Sequence, residues 1–190
     1  MRTRRTAVRL AVVFAAALLA TVWGPAAAHA ASVHLKGGKN AEPAFVDNVL
    51  VLAASGELSG LGNADVLITM DATALPVATC QNPGSGQHFP PGQNPAEVDV
   101  SGSVGIPADE VKNGWTPFSV VTEPPATPVA GAPDCPNSSW IEEIVDMQFT
   151  SATITVEQPP GTVVFVVTCT IDPPSANGAV PGGDVTCSSS

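Results

Sequence analysis

The sequence predicts an all-β fold: an antiparallel β-sandwich, immunoglobulin-like in the broad sense, fastened by two disulfides. Three observations point there. Apolar residues recur at every second position through most of the chain. Gly- and Pro-rich turns cut this pattern into seven to nine short runs. Four cysteines, an even number, all lie beyond a leader of the secretory kind.

In "EVDVSGSVGI", Val98, Val100, Gly102, Val104 and Ile106 fall on one side, with Glu97, Asp99, Ser101 and Ser103 on the other. That is a strand with one face buried. "ADVLITMDA" does the same with Val66, Ile68, Met70 and Ala72. In "TVVFVVTCTI", Val163, Phe165, Val167, Cys169 and Ile171 alternate with Val164, Val166, Thr168 and Thr170. Its second side is also apolar in part, so it is expected to be a central strand covered on both faces. Further strands are expected at "SVHL", "FSVVTE" and "DMQFTSA". Two antiparallel hairpins are expected. "SGLGN", Ser59 to Asn63, would join "NVLVLAASGEL" to "ADVLITMDA", and "QPPG", Gln158 to Gly161, would join "SATITVE" to "TVVFVVTCTI". One segment is ambiguous: in "WIEEIVDM", Trp140, Ile141, Ile144 and Val145 have helical spacing and admit a short helical turn. No long amphipathic helix is expected.

Arg2, Arg4, Arg5 and Arg9 precede the apolar run "LAVVFAAALLATVW" and then small residues, the order of a secretory signal. The apolar run is shorter than the ~20 residues that span a bilayer. Residues 1–30 are therefore expected to be a cleaved signal peptide and residues 31–190 a single secreted sandwich domain, with no membrane span in the mature chain. A cut after Ala30, leaving Ala31 first, suits the small-residue rule on both sides; a cut after Ala28 would leave His29 first. Losing the leader removes all four arginines, so three basic residues (Lys36, Lys39 and Lys112) face seventeen acidic ones, a formal charge of −14. Nucleic acids and anionic lipid need clustered Lys and Arg, so they are excluded as expected partners. Cationic partners, divalent metals and neutral surfaces remain open.

Cys80, Cys135, Cys169 and Cys187 allow three connectivities in an oxidising compartment. Cys80–Cys135 would pin the two longest irregular stretches, "CQNPGSGQHFPPGQNPAE" and "EPPATPVAGAPDCPNSS", against one another. Cys169–Cys187 would then tie down the C-terminal tail. A zinc site is disfavoured because no C-x2-C spacing exists.

Motifs for chemistry are sparse. Ser85 lies near His88 in "GSGQH", without the strand–turn–helix setting of a nucleophile elbow. Glu97 and Asp99 lie on the polar side of a strand, and Glu142 and Glu143 follow Trp140; such carboxylates are too numerous to single out a glycosidase pair. Without tyrosine, and with only Trp115 and Trp140 beyond the leader, platforms for stacking sugars are few. Asp65, Asp71, Asp134 and Asp184 lie in or near expected turns, where calcium would suit them, but no D-x-D-x-D-G loop occurs. An N-terminal His29 would chelate copper through its amine and imidazole, with His34 or His88 as a further ligand. That reading requires the cut after Ala28. Asn137 in "NSS" matches a glycosylation acceptor. No cofactor is expected, and no catalytic residue is named.

The arginine-then-alanine leader, together with "ASVHLKGGKNAEPAFVDN", "GLGNADV" and "SATITVEQPPGTVV", resembles small exported β-rich proteins of high-GC Gram-positive bacteria of the actinobacterial type. The resemblance spans essentially the whole exported chain. It implies secretion and an all-β fold and transfers no active-site residue. The expected function is non-enzymatic: an extracellular binding or accessory module whose partner is a protein or a neutral surface. A copper protein with free His29 and a secreted hydrolase are the alternatives. Long stapled loops on a rigid sandwich are where recognition concentrates, which makes Gln87, His88, Phe89 and Asp134 the candidate binding residues.

Overall fold

The period-two runs become ten strands in two antiparallel sheets among the described residues, with no α-helix among them. The computed structural model describes residues 32–38, 40–84 and 95–190; the leader and both candidate cut sites lie outside the described residues. In chain order the strands are β1 (His34–Leu35), β2 (Ala44–Asp47), β3 (Leu52–Ser59), β4 (Val66–Gln81) and β5 (Val98–Ile106). They continue with β6 (Trp115–Val121), β7 (Ile141–Glu157), β8 (Val163–Ile171), β9 (Gly178–Ala179) and β10 (Val185–Ser189).

One sheet is centred on β3, which pairs with β1 and β2 along one edge and β6 along the other, with β9 beyond β2. The second sheet runs in the order β10-β8-β7-β4-β5. Phe45, Leu52, Leu58 and Phe118 from the β3 sheet meet Ile68, Met70, Phe149 and Ile154 from the β7 sheet in one continuous core. Full burial of each such side chain contributes roughly 1.5–3 kcal/mol. Both sides of the sandwich are drawn together. At one, the Glu123 N–H donates to the Ser101 carbonyl at 2.7 Å, linking the end of β6 to β5. At the other, the Cys187 N–H on β10 donates to Glu42 Oε1 at 3.3 Å, and this covers an edge that would otherwise be open to pairing.

Both disulfides join the expected partners, Cys80 to Cys135 and Cys169 to Cys187. The second links directly opposed residues of β8 and β10. Neither crosses between the sheets, as the bridge of antibody domains does. The hairpin through "QPPG" forms between β7 and β8, closed by the Gln158 N–H to the Thr162 carbonyl at 2.8 Å.

The expected hairpin through "SGLGN" does not form. β3 already has partners on both edges, β4 lies between β5 and β7, and the segment between β3 and β4 crosses from one sheet to the other. Gln158, buried and 96 residues away, holds this crossing: its Oε1 accepts from the Gly62 N–H at 2.6 Å, and its Nε2 donates to the Gly62 and Ala64 carbonyls. Leu61 drops into the core there. Turn residues mark where a chain bends, and the side on which it finds hydrogen-bond partners is decided elsewhere.

"WIEEIVDM" contains no helical turn; it opens β7. The apolar residues with helical spacing divide between the two faces: Ile144 is buried, whereas Ile141 and Val145 are exposed. Register shifts fall against β4 between Val77 and Ala78 and between Thr73 and Ala74, where β7 carries an extra residue. The buried positions of β7 therefore change parity twice, from Glu142 and Ile144 to Met147 and Phe149, then to Ala152, Ile154 and Val156. Ile144 and Met147, three apart, face the same way because a bulge stands between them. β8 also differs from expectation: its outward Thr168 and Thr170 are exposed, so only one face of it is covered. Asp71, expected near a turn, stands in the middle of β4.

Candidate functional site

β4 and β7 outrun their neighbours. The pairing of β4 with β5 ends at Ala74, and that of β7 with β8 ends at Ser151. Beyond these points residues 75–81 pair with 141–148 as a two-stranded arm. A bare two-stranded ribbon is marginal in water, so the free edge of β7 needs cover. Four contacts from three segments supply it. The Phe149 N–H donates to Ser175 Oγ at 2.8 Å, and the Met147 N–H donates to the Val49 carbonyl at 2.8 Å. The Ile144 N–H donates to Thr127 Oγ1 at 3.2 Å, and the Glu142 carbonyl accepts from the Val129 N–H at 2.8 Å.

The last two contacts bring the 122–140 connection down onto the arm, where the Cys80–Cys135 disulfide fastens it with a Cα–Cα distance of 5.7 Å. Ala132 is buried in this loop, and beneath it lies Glu142, with 0% of its surface exposed. Glu142 Oε2 accepts from the Asp134 N–H at 3.1 Å; Oε1 is buried without a partner among the described residues. The carboxylate thus serves as an internal prop for the loop. On the outer face of the arm the chain does the reverse and leaves aliphatic groups in water. Leu75, Val77, Ile141 and Val145 are 37–42% exposed. Val145, in the bulge opposite Val77 and Ala78, lies beside Val77, two residues from Leu75, while Ile141 stands opposite Gln81 near the end of the arm.

Of the predicted binding residues, Gln87, His88 and Phe89 lie outside the described residues. Asp134 is in the stapled loop as expected, but its backbone N–H, bonded to Glu142, is what engages the site. From the sequence, Glu142 stood only as one of many carboxylates and Ile141 and Val145 only as part of a helical spacing, while Leu75 and Val77 were not named. For Leu75 and Val77 the signal is the plain alternation of β4; for Glu142, Ile141 and Val145 it is the parity of β7, which is read correctly only once the bulges are located.

A second polar cluster lies at the base of the arm. Asp47, buried at the end of β2, accepts from Ser175 Oγ and from the Val49 N–H at 3.0 Å. Burial pushes its carboxyl above the usual carboxylate range; the two hydrogen bonds oppose the rise and the charge of Asp146 adds to it. Asp146 Oδ1 is itself buried without a partner among the described residues. The Asp47–Ser175 pair joins segments 128 residues apart.

The outward face of the β7 sheet carries a third feature. A groove of about 450 Å³ is lined by Asp71, Thr73, Asp99, Ser101, Ser151 and Thr153. Thr73 Oγ1 donates to Asp99 Oδ1 at 2.8 Å within it.

The remaining candidates fall at the periphery. His34 stands in β1, where Nδ1 donates to the Ser32 carbonyl at 2.8 Å; His29 and His88 lie outside the described residues, as does Ser85. Trp115 is a rim residue, with Lys36 Nζ 4.8 Å from its ring centroid and also 2.6 Å from Glu57. Asn137 is exposed, and its Oδ1 accepts from the Ser139 N–H at 2.9 Å. Among the described residues no three His, Cys, Asp or Glu side chains converge as metal ligands, and no helix is long and apolar enough to cross a membrane. The two disulfides point to an oxidising, extracellular environment. Compared with protein-family models, curated proteins and solved structures, the chain shows no significant match.

Proposed function

We propose that the chain is a secreted, non-enzymatic binding or accessory module that engages an extracellular protein or a neutral surface through its stapled end. The observation that carries this reading is the group of exposed aliphatics on a covalently fastened arm, Leu75, Val77, Ile141 and Val145. A rigid support loses little entropy on docking, so apolar area buried there converts more fully into affinity. The acidic composition disfavours anionic partners and leaves apolar contact as the natural mode.

The reading is tested by retention of the exported chain on intact cells and wall fractions of the organism that secretes it. Leu75→Ser combined with Val145→Ser is expected to remove most of the retention while leaving the unfolding midpoint unchanged. Equal retention of both forms would dispose of the stapled end as the contact surface. Intact-mass measurement of the exported protein is expected to give Ala31 as first residue, with four thiol hydrogens missing. A chain beginning at His29 would instead favour the copper reading.

A further inference from the structure

The hydroxyl groups on the outward face of the β7 sheet stand in register across five strands. One row reads Ser101, Asp71, Thr153, Thr168 and Ser188, each directly opposite the next. The adjacent row reads Asp99, Thr73, Ser151, Thr170 and Thr186. Strands stand about 4.8 Å apart and same-face residues about 6.7 Å apart along a strand. The face is therefore a two-dimensional array of side-chain oxygens. Hydroxyls both donate and accept, whereas the Asp71 and Asp99 carboxylates only accept. No basic and no aromatic residue occurs in either row. The described lysines are engaged elsewhere: Lys36 pairs with Glu57 of the β3 sheet, and Lys112 donates to the Asp109 carbonyl.

We propose that this face binds a linear glycan carrying free amino groups, a polymer of deacetylated amino sugars. Charge complementarity selects the ligand. Ammonium groups meet Asp71 and Asp99 in the groove, and sugar hydroxyls exchange hydrogen bonds with the Ser and Thr rows on either side. Anionic glycans are repelled by the same two carboxylates. Without an aromatic platform, affinity accumulates from many weak polar contacts, so an extended oligomer binds and a monosaccharide does not. This surface is independent of the stapled end.

The test is calorimetric titration of the exported chain with three probes: a glucosamine hexamer, the fully N-acetylated hexamer and a lysine hexamer. The glucosamine hexamer is expected to bind. Asp71→Asn and Asp99→Asn should each weaken it about tenfold, the loss expected for one charge-assisted hydrogen bond. Thr153→Val with Thr168→Val should weaken it by a comparable factor, and circular dichroism should show all variants folded. Failure of the glucosamine hexamer to bind overturns the proposal. So does equal binding of the N-acetylated hexamer, which would leave the carboxylates without a role, or equal binding of the lysine hexamer, which would leave the hydroxyl rows without one. The Leu75→Ser/Val145→Ser variant should bind the glucosamine hexamer as wild type does, which keeps this result separate from the test of the stapled end.

Discussion

Asp47 shows how much one buried carboxylate can be asked to do. It ties the turn after β2 to Ser175, and Ser175 in turn bonds the bulged stretch of β7. Its burial raises its proton affinity in the folded state above the ordinary value of 3.8. The sign of the linkage follows. Between the ordinary value and the raised one, the folded chain holds more protons than the unfolded chain, so unfolding free energy falls as pH rises through that interval. The stability contributed by this group is complete below the ordinary value and is lost above the raised one. Asp47→Asn keeps an acceptor for the Val49 N–H and removes the titration. Denaturant midpoints measured from acidic to neutral pH should therefore fall less steeply in the variant than in wild type. Parallel curves would mean that Asp47 does not carry the effect.

The arm of β4 and β7 owes its order to what covers it. Its hydrogen bonds run outward to Ser175, Val49, Thr127 and Val129, and the last two belong to the loop held by Cys80–Cys135. Replacing both cysteines by alanine is expected to cost ~2–4 kcal/mol through the unfolded chain. It should also release the loop locally. Amide exchange should quicken at Val129, Asp134 and Ile144 while Thr69 and Thr155, deep in the β7 sheet, stay protected. A uniform loss of protection would instead show that the bridge acts on the whole fold. The same element shows where the sequence was legible. Period two along β4 was plain, with even-numbered positions buried from Val66 to Cys80. Period two along β7 was hidden, because each bulge reverses which residues face inward. The candidate site lies across those bulges, so Glu142 was legible only as one of a carboxylate pair beside Trp140 and not as a buried group.

At the scale of the molecule, the sandwich is drawn shut where β5 meets the end of β6. Gly102 faces inward there, and a Cβ on it would stand 1.9 Å from the Val121 carbonyl oxygen. The backbone on both sides is held, by the β4–β5 ladder and by the Glu123 bond to Ser101, so neither can yield freely. Gly102→Ala is expected to lower stability by ~1–3 kcal/mol, the usual cost of overpacking, read as a lowered melting temperature. Gly105, on the opposite face of β5, has open space around its Cβ position, and Gly105→Ala is the control. An equal loss in both would show that the close approach is not what Gly102 provides.

The amino-acid sequence alone determined the all-strand class and the polar and apolar sides of β4 and β5, because both depend on local alternation; it favoured one of three cysteine pairings, which the structure selects. It did not determine which sheet a strand joins. The crossing at Gly60–Asp65 depends on Gln158, far along the chain, and on β6 having taken the free edge of β3. Tertiary structure alone decided the oxygen rows, the covered arm and the burial of Glu142, since each is a register between strands distant in sequence. Alternation says which way a side chain points; only pairing says what stands beside it.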